Sequence, residues 1–245
     1  MMNSQGTKGE SAKQSYLLVV ATDTRDIYDT SILLQRFGYF VCAAQSGKQA
    51  LDMVSLSRPS LVITDLSLPD MSGLDLLRKL SSDARSLPLI VLMPAANEHV
   101  EAHTVELGGA LPFLVRPLAA EDLYRAVQAA IEPTPRSSLR IRTSLPVAVN
   151  NTALDPGRGE CATNLSAQGL FVRMRKPYRL NDRLTVSVDI GDRTVTADAA
   201  VLYTRGLPTD SGMAVKFTAI KPEDQAFLAA YIRGEVTRGL RTAER

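Results

Sequence analysis

The 245-residue sequence has no tryptophan, two cysteines, two histidines and only 5% aromatic residues. Its cysteines, Cys42 and Cys161, provide neither a disulfide framework nor a metal-ligand spacing, which favours a reducing compartment. No apolar run approaches the roughly 20 residues that a membrane-spanning helix needs. We therefore predict a cytoplasmic protein with no membrane span, no structural disulfide and no bound metal.

Signatures of catalysis and of nucleic-acid recognition are also missing. The sequence has no Gly-rich phosphate loop and no nucleophile–base set, so we expect no enzyme activity. Aromatic stacking residues are sparse and no recognition helix is evident, so nucleic acid is not an expected partner. Residues 16–131 carry 9 Lys and Arg against 13 Asp and Glu, whereas residues 132–245 carry 17 against 12. The basic second half favours an anionic ligand there.

The N-terminal half alternates short apolar runs with amphipathic stretches. Residues 1–15 are polar and predict a disordered tail. Strands are predicted at 16–20, 39–43, 61–64, 89–93 and 113–115, and helices at 24–37, 47–56, 74–80, 99–107 and 120–131. Thr24 is the predicted N-cap of the first helix, and Gly38 its stop. This order predicts a domain over 16–131 with an α/β doubly wound, five-stranded parallel sheet.

The C-terminal half is predicted to be all-β. Residues 132–138 are polar and contain Pro133 and Pro135, which indicates a linker. Strands are predicted at 141–149, from 161, and at 170–174, 184–190, 195–203 and 213–217, and Pro222 then opens a helix. Residues 139–240 therefore predict a six-stranded antiparallel barrel with a terminal helix.

Residues 16–131 resemble the receiver domain of two-component response regulators. The resemblance is carried by the run LLVV, by Gly38-Tyr39, by Asp65 with Pro69 and Gly73, and by Arg116-Pro117. It implies that Asp65 stands at the phosphoacceptor position. In the family, this aspartate and two acidic residues after the first strand hold Mg²⁺. A Thr or Ser ends the fourth strand, and a Lys precedes the proline.

This sequence departs from the receiver pattern at most of those positions. Ala21 and Thr22 replace the acidic pair, Met93 replaces the Thr or Ser, and Arg116 replaces the Lys. Mg²⁺ is held mainly by carboxylate and water oxygens, and methionine has no hydroxyl to receive a phosphoryl oxygen. We therefore predict a degenerate receiver without Mg²⁺, in which Asp65 is not a working phosphoacceptor.

Weak phosphorylation at Asp65 is the competing interpretation. It would need Asp23, which lies near the missing acidic pair, as a substitute ligand for the metal. The protein would then be a phosphorylation-controlled response regulator.

Residues 136–240 resemble the PilZ domain, a bacterial receptor for cyclic di-GMP. Two motifs carry the resemblance: R-x-x-x-R, formed by Arg136 and Arg140, and [DN]-x-S-x-x-G, formed by Asn164, Ser166 and Gly169. The runs LPV, GLFV and SGMAVKF support it. The resemblance implies that these five residues bind cyclic di-GMP, with Gly169 allowing a turn and close approach of the ligand.

Arginine suits this ligand because a guanidinium binds guanine O6 and N7 bidentately, stacks on the base and pairs with phosphate. We therefore predict a non-enzymatic cyclic di-GMP effector. Ligand binding at the junction is predicted to alter the arrangement of the domains and the binding of an unidentified downstream protein. A response regulator controlled at Asp65, with a PilZ output domain, is the alternative.

Overall fold

The computed structural model describes residues 15–81, 87–93, 113–135, 138–207 and 210–240. Nearly all of the predicted tail, the predicted helix over 99–107, the side chain of Met93 and the predicted ligand residue Arg136 lie outside the described residues. The described residues form an N-terminal parallel sheet flanked by helices and a C-terminal antiparallel sheet followed by a helix.

The N-terminal sheet has five parallel strands in the order β2-β1-β3-β4-β5, which confirms the predicted doubly wound fold. The strands are β1 (Tyr16–Val20), β2 (Phe40–Ala44), β3 (Leu61–Asp65), β4 (Leu89–Met93) and β5 (Phe113–Val115). The helices are α1 (Thr24–Arg36), α2 (Gly47–Leu56), α3 (Gly73–Ser81) and α4 (Ala120–Ile131). Strands β1 and β3 are almost entirely buried, as expected for strands covered on both faces.

The N-cap of helix α1 lies one residue earlier than predicted. Its N-cap is Asp23, whose carboxylate accepts hydrogen bonds from the backbone N–H groups of Arg25 and Asp26. The predicted cap, Thr24, is the first residue of the helix. The prediction of the helix end is confirmed, because Gly38 follows at a φ of 97°, a conformation that glycine adopts without strain.

The C-terminal sheet has eight strands rather than the predicted six, in the order β6-β9-β10-β13-β12-β11-β7-β8. They are β6 (Arg140–Leu145), β7 (Val147–Val149), β8 (Thr152–Ala153), β9 (Cys161–Ser166), β10 (Gly169–Arg173), β11 (Arg183–Ile190), β12 (Arg193–Leu207) and β13 (Asp210–Ile220). Helix α5 (Pro222–Thr237) follows, as predicted.

Pro146 accounts for one of the two additional strands. Proline has no backbone N–H, so it interrupts the predicted strand 141–149 and divides it into β6 and β7. The first part pairs with β9 and the second with β11, near the other end of the sheet. The two ends of the sheet therefore meet at Pro146, and the sheet curls on itself. The other addition, β8, is a two-residue strand that pairs with β7.

Helix α5 lies between the barrel and the N-terminal domain. It contacts β6 and β9 on one side and α1 and α4 on the other. Its buried residues Leu228, Ile232 and Val236 recur every four positions and form a stripe along the helix. At its N-terminal end, Asp224 accepts a hydrogen bond of 2.6 Å from Arg193. The helix thus joins the apolar cores of the two domains into one cluster.

Candidate functional site

The outer face of β6 and β9 carries one residue from each of the two predicted binding motifs, Arg140 and Asn164. Ile141 and Leu165 are buried inside the barrel, and side chains alternate along a strand. Their neighbours Arg140, Arg142 and Asn164 therefore face outward, and Arg142 pairs in register with Asn164. The alternation in the sequence thus places the motif residues on one surface.

This surface forms one wall of a cavity of about 580 Å³ between the barrel and the N-terminal domain. The predicted residues Arg140, Asn164, Ser166 and Gly169 all line it. Arg136, the first arginine of the motif, lies outside the described residues. The N-terminal domain contributes Arg36, Phe37, Gly38, Tyr39, Tyr124, Gln128 and Glu132. The volume is within the range of small-molecule sites.

Positive charge dominates the cavity. Arg140, Arg142 and Lys216 line it, and all three are exposed. Within the described part of the chain, none of the three forms a salt bridge with a carboxylate. Glu132 is the one acidic residue among the described residues that line the cavity. The cavity therefore offers several cations to an anionic ligand.

An aromatic and guanidinium platform forms another part of the cavity. The guanidinium carbon of Arg205 lies 5.3 Å from the ring centroid of Phe171 and 5.8 Å from that of Tyr203. A shift of the β12–β13 register occurs between Val201 and Tyr203, so Leu202 is an extra residue in the strand. This bulge changes which side chains face the cavity. The platform offers flat surfaces to a planar ligand group.

The platform and Lys216 were not predicted from the sequence. Strand alternation shows which residues share a face, but it does not show that β12 and β13 lie beside the motif-bearing strands. The bulge at Leu202 also interrupts the alternation. In the sequence, Lys216 lies in the run SGMAVKF, which supports the PilZ resemblance, and the basic charge of the second half was the signal that pointed to Arg205.

Ser166 shapes the turn between β9 and β10. It is buried, and its hydroxyl donates a hydrogen bond of 3.0 Å to the carbonyl of Gly169 and accepts one from the backbone N–H of Gln168. Both interactions close the turn on itself. In this structure the serine therefore positions the motif loop, and its hydroxyl is already engaged within the chain.

The close approach of strand β13 requires glycine at position 169. A Cβ at this position would lie 2.2 Å from the carbonyl oxygen of Val215 in β13, which is far closer than side-chain atoms approach. The backbone of Gly169 does not have a positive φ. In this structure the glycine permits close pairing of β10 with β13, at the edge of the cavity, and the predicted close approach of a ligand stays a prediction.

The second candidate site lies at the carboxyl end of β3, around Asp65. A guanidinium nitrogen of Arg116 is 3.0 Å from a carboxylate oxygen of Asp65, and Arg116 also lies 3.5 Å from Asp26. Burial raises the pKa of Asp65, although the Arg116 charge and hydrogen bond act in the opposite direction. Asp65 is therefore a largely buried carboxylate with a built-in cationic partner.

The residues after β1, where the receiver family has its acidic pair, offer few ligands to a metal ion. Ala21 is fully buried and apolar, and Thr22 is exposed. The carboxylate of Asp23 caps helix α1. Among the described residues, no group of three or more His, Cys, Asp or Glu side chains is arranged to hold a metal. This donor set does not fit the Mg²⁺ site that the receiver family implies.

Two family models match the chain, one after the other. Residues 18–128 match the response regulator receiver domain, and residues 134–234 match the PilZ domain. The chain is a receiver domain followed by a PilZ domain. The predicted identity and order of the two domains are therefore confirmed.

Curated proteins that are similar to parts of the chain include response regulators named MprA. The response regulator MprA of Mycolicibacterium vanbaalenii is 36% identical over 98 residues, which is 40% of this chain and 42% of the relative. MprA of Mycobacterium leprae is 32% identical over 126 residues, or 51% of this chain and 54% of the relative. The chain thus spans less than two thirds of the length of these relatives.

Two solved structures are each similar to less than half of the chain. The chemotaxis protein CheY4 of Vibrio cholerae covers 48% of this chain over 98% of its own length, at 24% identity and a TM-score of 0.43. The inhibitor of motility MotI/DgrA of Bacillus subtilis covers 43% of this chain over 53% of its own length, at 19% identity and a TM-score of 0.37.

Three arginine contacts dock the receiver domain against the C-terminal end of the PilZ domain. Arg36 at the end of α1 donates a hydrogen bond of 2.5 Å to the carbonyl of Val236, and Arg25 donates one of 3.3 Å to Gly239. Arg233 of α5 forms a salt bridge with Glu121 of α4. The cavity wall supplied by the receiver is therefore held in place by contacts with the C-terminal end of the PilZ domain. None of the helices that the structure describes is long and apolar enough to span a membrane.

Proposed function

We propose that this protein is a non-enzymatic cyclic di-GMP receptor and that the ligand binds in the cavity between its two domains. The observation that carries the proposal is the set of exposed cations, Arg140, Arg142 and Lys216, in a cavity with one described carboxylate. The PilZ domain supports it, because PilZ domains are of the cyclic di-GMP-binding type. The chain's place among response regulators adds a signalling context.

The chemistry of the cavity suits both parts of this ligand. The phosphates are anions that guanidinium groups bind through paired N–H donors. Each guanine is planar and presents the acceptors O6 and N7, which an arginine contacts bidentately. Within the platform Phe171 is buried, whereas Tyr203 and Arg205 are exposed and offer a stacking surface for such a ring. Asn164 adds exposed amide donors and acceptors beside Arg142.

Titration calorimetry of the full chain tests the proposal. We expect saturable binding of cyclic di-GMP and at least tenfold weaker binding of cyclic di-AMP, since adenine has an amino group in place of the O6 acceptor. Cyclic di-AMP keeps the two phosphates, so it separates base recognition from charge attraction. No heat of binding with cyclic di-GMP, or equal affinity for the two dinucleotides, would refute the proposal.

We also propose that the receiver domain is not controlled by Mg²⁺-dependent phosphorylation. Arg116 already neutralises Asp65, and the neighbouring positions supply no carboxylate set for the metal. The alternative function, a response regulator switched at Asp65, needs Asp23 as a metal ligand, but Asp23 caps α1. After incubation with acetyl phosphate and Mg²⁺, intact-mass measurement should show no Asp65-dependent gain of one phosphate. A stoichiometric gain would favour the alternative.

Ligand binding is proposed to change how the two domains contact each other, and so to expose or hide a surface for a downstream protein. The cavity lies at the junction, so a ligand inside it touches the contact between the domains. Small-angle scattering of the free and the saturated protein would reveal a change in the radius of gyration. Identical curves would count against this step while leaving the binding proposal intact.

A further inference from the structure

The receiver domain supplies one whole wall of the cavity, at the junction of α1 and β2 and along α4. We infer that Arg36 of this wall is a ligand-binding residue, so that the receiver domain takes part directly in recognising the anionic ligand. The inference rests on the proposed function and extends it to a domain that has no role in the PilZ motifs. The degenerate receiver would then contribute to ligand binding instead of being phosphorylated.

The position of Arg36 supports this role. It is the last residue of α1, half-buried at the edge of the cavity. One terminal nitrogen, Nη1, donates to the carbonyl of Val236, which fixes the side chain against α5. A guanidinium carries five N–H donors, so the other nitrogens keep donors for a ligand. Arg36 thus lines the same cavity as the cations of the PilZ domain.

The other residues of the receiver wall form contacts that fix the position of Arg36. Phe37 packs edge-to-face against Tyr124 of α4, with ring centroids 5.1 Å apart. The side-chain amide of Gln128 donates a hydrogen bond of 2.6 Å to the hydroxyl of Tyr39. Gln128 is almost completely buried, and Gly38 ends α1 with a positive φ. The wall is therefore preorganised, which lowers the cost of ordering it when a ligand binds.

A ligand that contacts both walls of the cavity couples its own binding to the docking of the receiver domain on the PilZ domain. Any ligand that binds the docked form better than the separated form stabilises docking by the same factor. Arg36 would thus couple the occupancy of the PilZ site to the position of the receiver. This is the link through which a receiver without phosphorylation can still report a signal.

Arg25 provides a matched control for Arg36. Both arginines lie on α1, and both donate a hydrogen bond to a backbone carbonyl in the C-terminal segment, Arg25 to Gly239 and Arg36 to Val236. Only Arg36 lines the cavity. Substituting each by glutamine therefore removes a hydrogen bond of the same kind between the domains. Arg36→Gln also removes a cation from the ligand site, whereas Arg25→Gln also removes the ion pair with Asp29 within α1, away from the cavity.

Calorimetry with cyclic di-GMP on both full-length variants tests the inference. We expect Arg36→Gln to weaken binding about tenfold or more, since hydrogen bonds to charged groups are the stronger ones, and Arg25→Gln to change it by less than about twofold. Equal effects of the two variants would overturn the inference, because Arg36 would then act through docking alone. An unchanged affinity of Arg36→Gln would also overturn it.

Lysine variants keep the inference testable if Arg36→Gln does not fold. Arg36→Lys retains the charge but loses the planar fork, so we expect about threefold to fivefold weaker binding, with Arg25→Lys unchanged. Equal affinities of the two lysine variants would overturn the inference. If the wild type itself binds no cyclic di-GMP, the proposed function fails. If the wild type binds and only the Arg36 effect is missing, the proposed function stands and this inference fails.

Discussion

Arginine occupies two opposite electrostatic situations in this molecule. At the carboxyl end of β3, Arg116 is largely buried and lies within 3.5 Å of Asp65 and Asp26. In the cavity between the domains, Arg140 and Arg142 are exposed and meet no carboxylate of the described residues. Arg116 thus pairs with carboxylates of the protein itself, whereas Arg140 and Arg142 are exposed in the cavity.

This difference in pairing distinguishes a site whose charges neutralise each other from a cavity whose cations are available to an anion. A buried carboxylate that is already paired gains little from a metal ion, and its arginine cannot be displaced without leaving charges unpaired in a poorly solvated place. Exposed cations crowded around one cavity repel each other, and an anion relieves that repulsion when it binds. We therefore propose that phosphorylation at Asp65 does not switch this protein, and that its signal is a ligand bound in the cavity.

Breaking the paired site is expected to give the largest change in stability. Arg116→Ala would leave Asp65 mostly buried without its cation, so we expect the free energy of unfolding to fall by about 2 kcal/mol. Urea unfolding followed by circular dichroism would measure it. Arg125→Ala is the control, because the Arg125–Asp122 pair is exposed and should contribute less than about 1 kcal/mol.

The same Arg116→Ala protein should bind cyclic di-GMP within about twofold of the wild type, because Arg116 does not line the cavity. Unchanged stability would mean that the Asp65–Arg116 pair does not matter for the fold. A large loss of affinity at normal stability would show that the two sites are coupled and would contradict their separate roles.

A smaller effect is expected from Asp65→Asn, in the pH dependence of stability. Burial raises the pKa of Asp65, so the folded state binds this proton more tightly than the unfolded state. The contribution of Asp65 is therefore greatest below the unfolded pKa and is lost as the pH rises through the raised folded pKa. Relative to Asp65→Asn, the wild type should lose stability over that window in urea unfolding.

Asp70→Asn is the control of opposite sign. Backbone hydrogen bonds from Lys48 and Gly47 lower the pKa of Asp70, so its contribution is present above the unfolded pKa and is lost as the pH falls through the lowered folded pKa. The wild type should thus gain stability relative to this variant as the pH rises. The stability difference between the wild type and each variant should change with pH in opposite directions for Asp65→Asn and Asp70→Asn. A change in the same direction would contradict the burial of Asp65.

The sequence predicted the fold where local patterns are decisive. Continuous apolar runs such as Leu61–Thr64 indicated strands buried on both faces, and Gly38 indicated the end of α1. The N-cap was misassigned because Thr22, Asp23 and Thr24 are all capable of capping, and local preference does not choose between them. The division of the first barrel strand follows from Pro146, which the periodicity alone did not reveal.

The site was predictable only as far as its residues belong to short motifs. Arg140, Asn164, Ser166 and Gly169 were selected from the sequence, and the structure brings all four to one cavity. Arg36 was not selected, because its place depends on how the two domains dock. The roles of Ser166 and Gly169 depend on the close approach of neighbouring strands, which spacing along the chain does not encode.

Cyclic di-GMP binding by Arg140→Ala, compared with the wild type by titration calorimetry, tests the central claim most directly. Arg183 is the matched control, since it is exposed on the barrel at the start of β11 and does not line the cavity. The account predicts that Arg140→Ala weakens binding about tenfold to 100-fold, while Arg183→Ala stays within about twofold of the wild type. Wild-type affinity in the Arg140→Ala protein would contradict it.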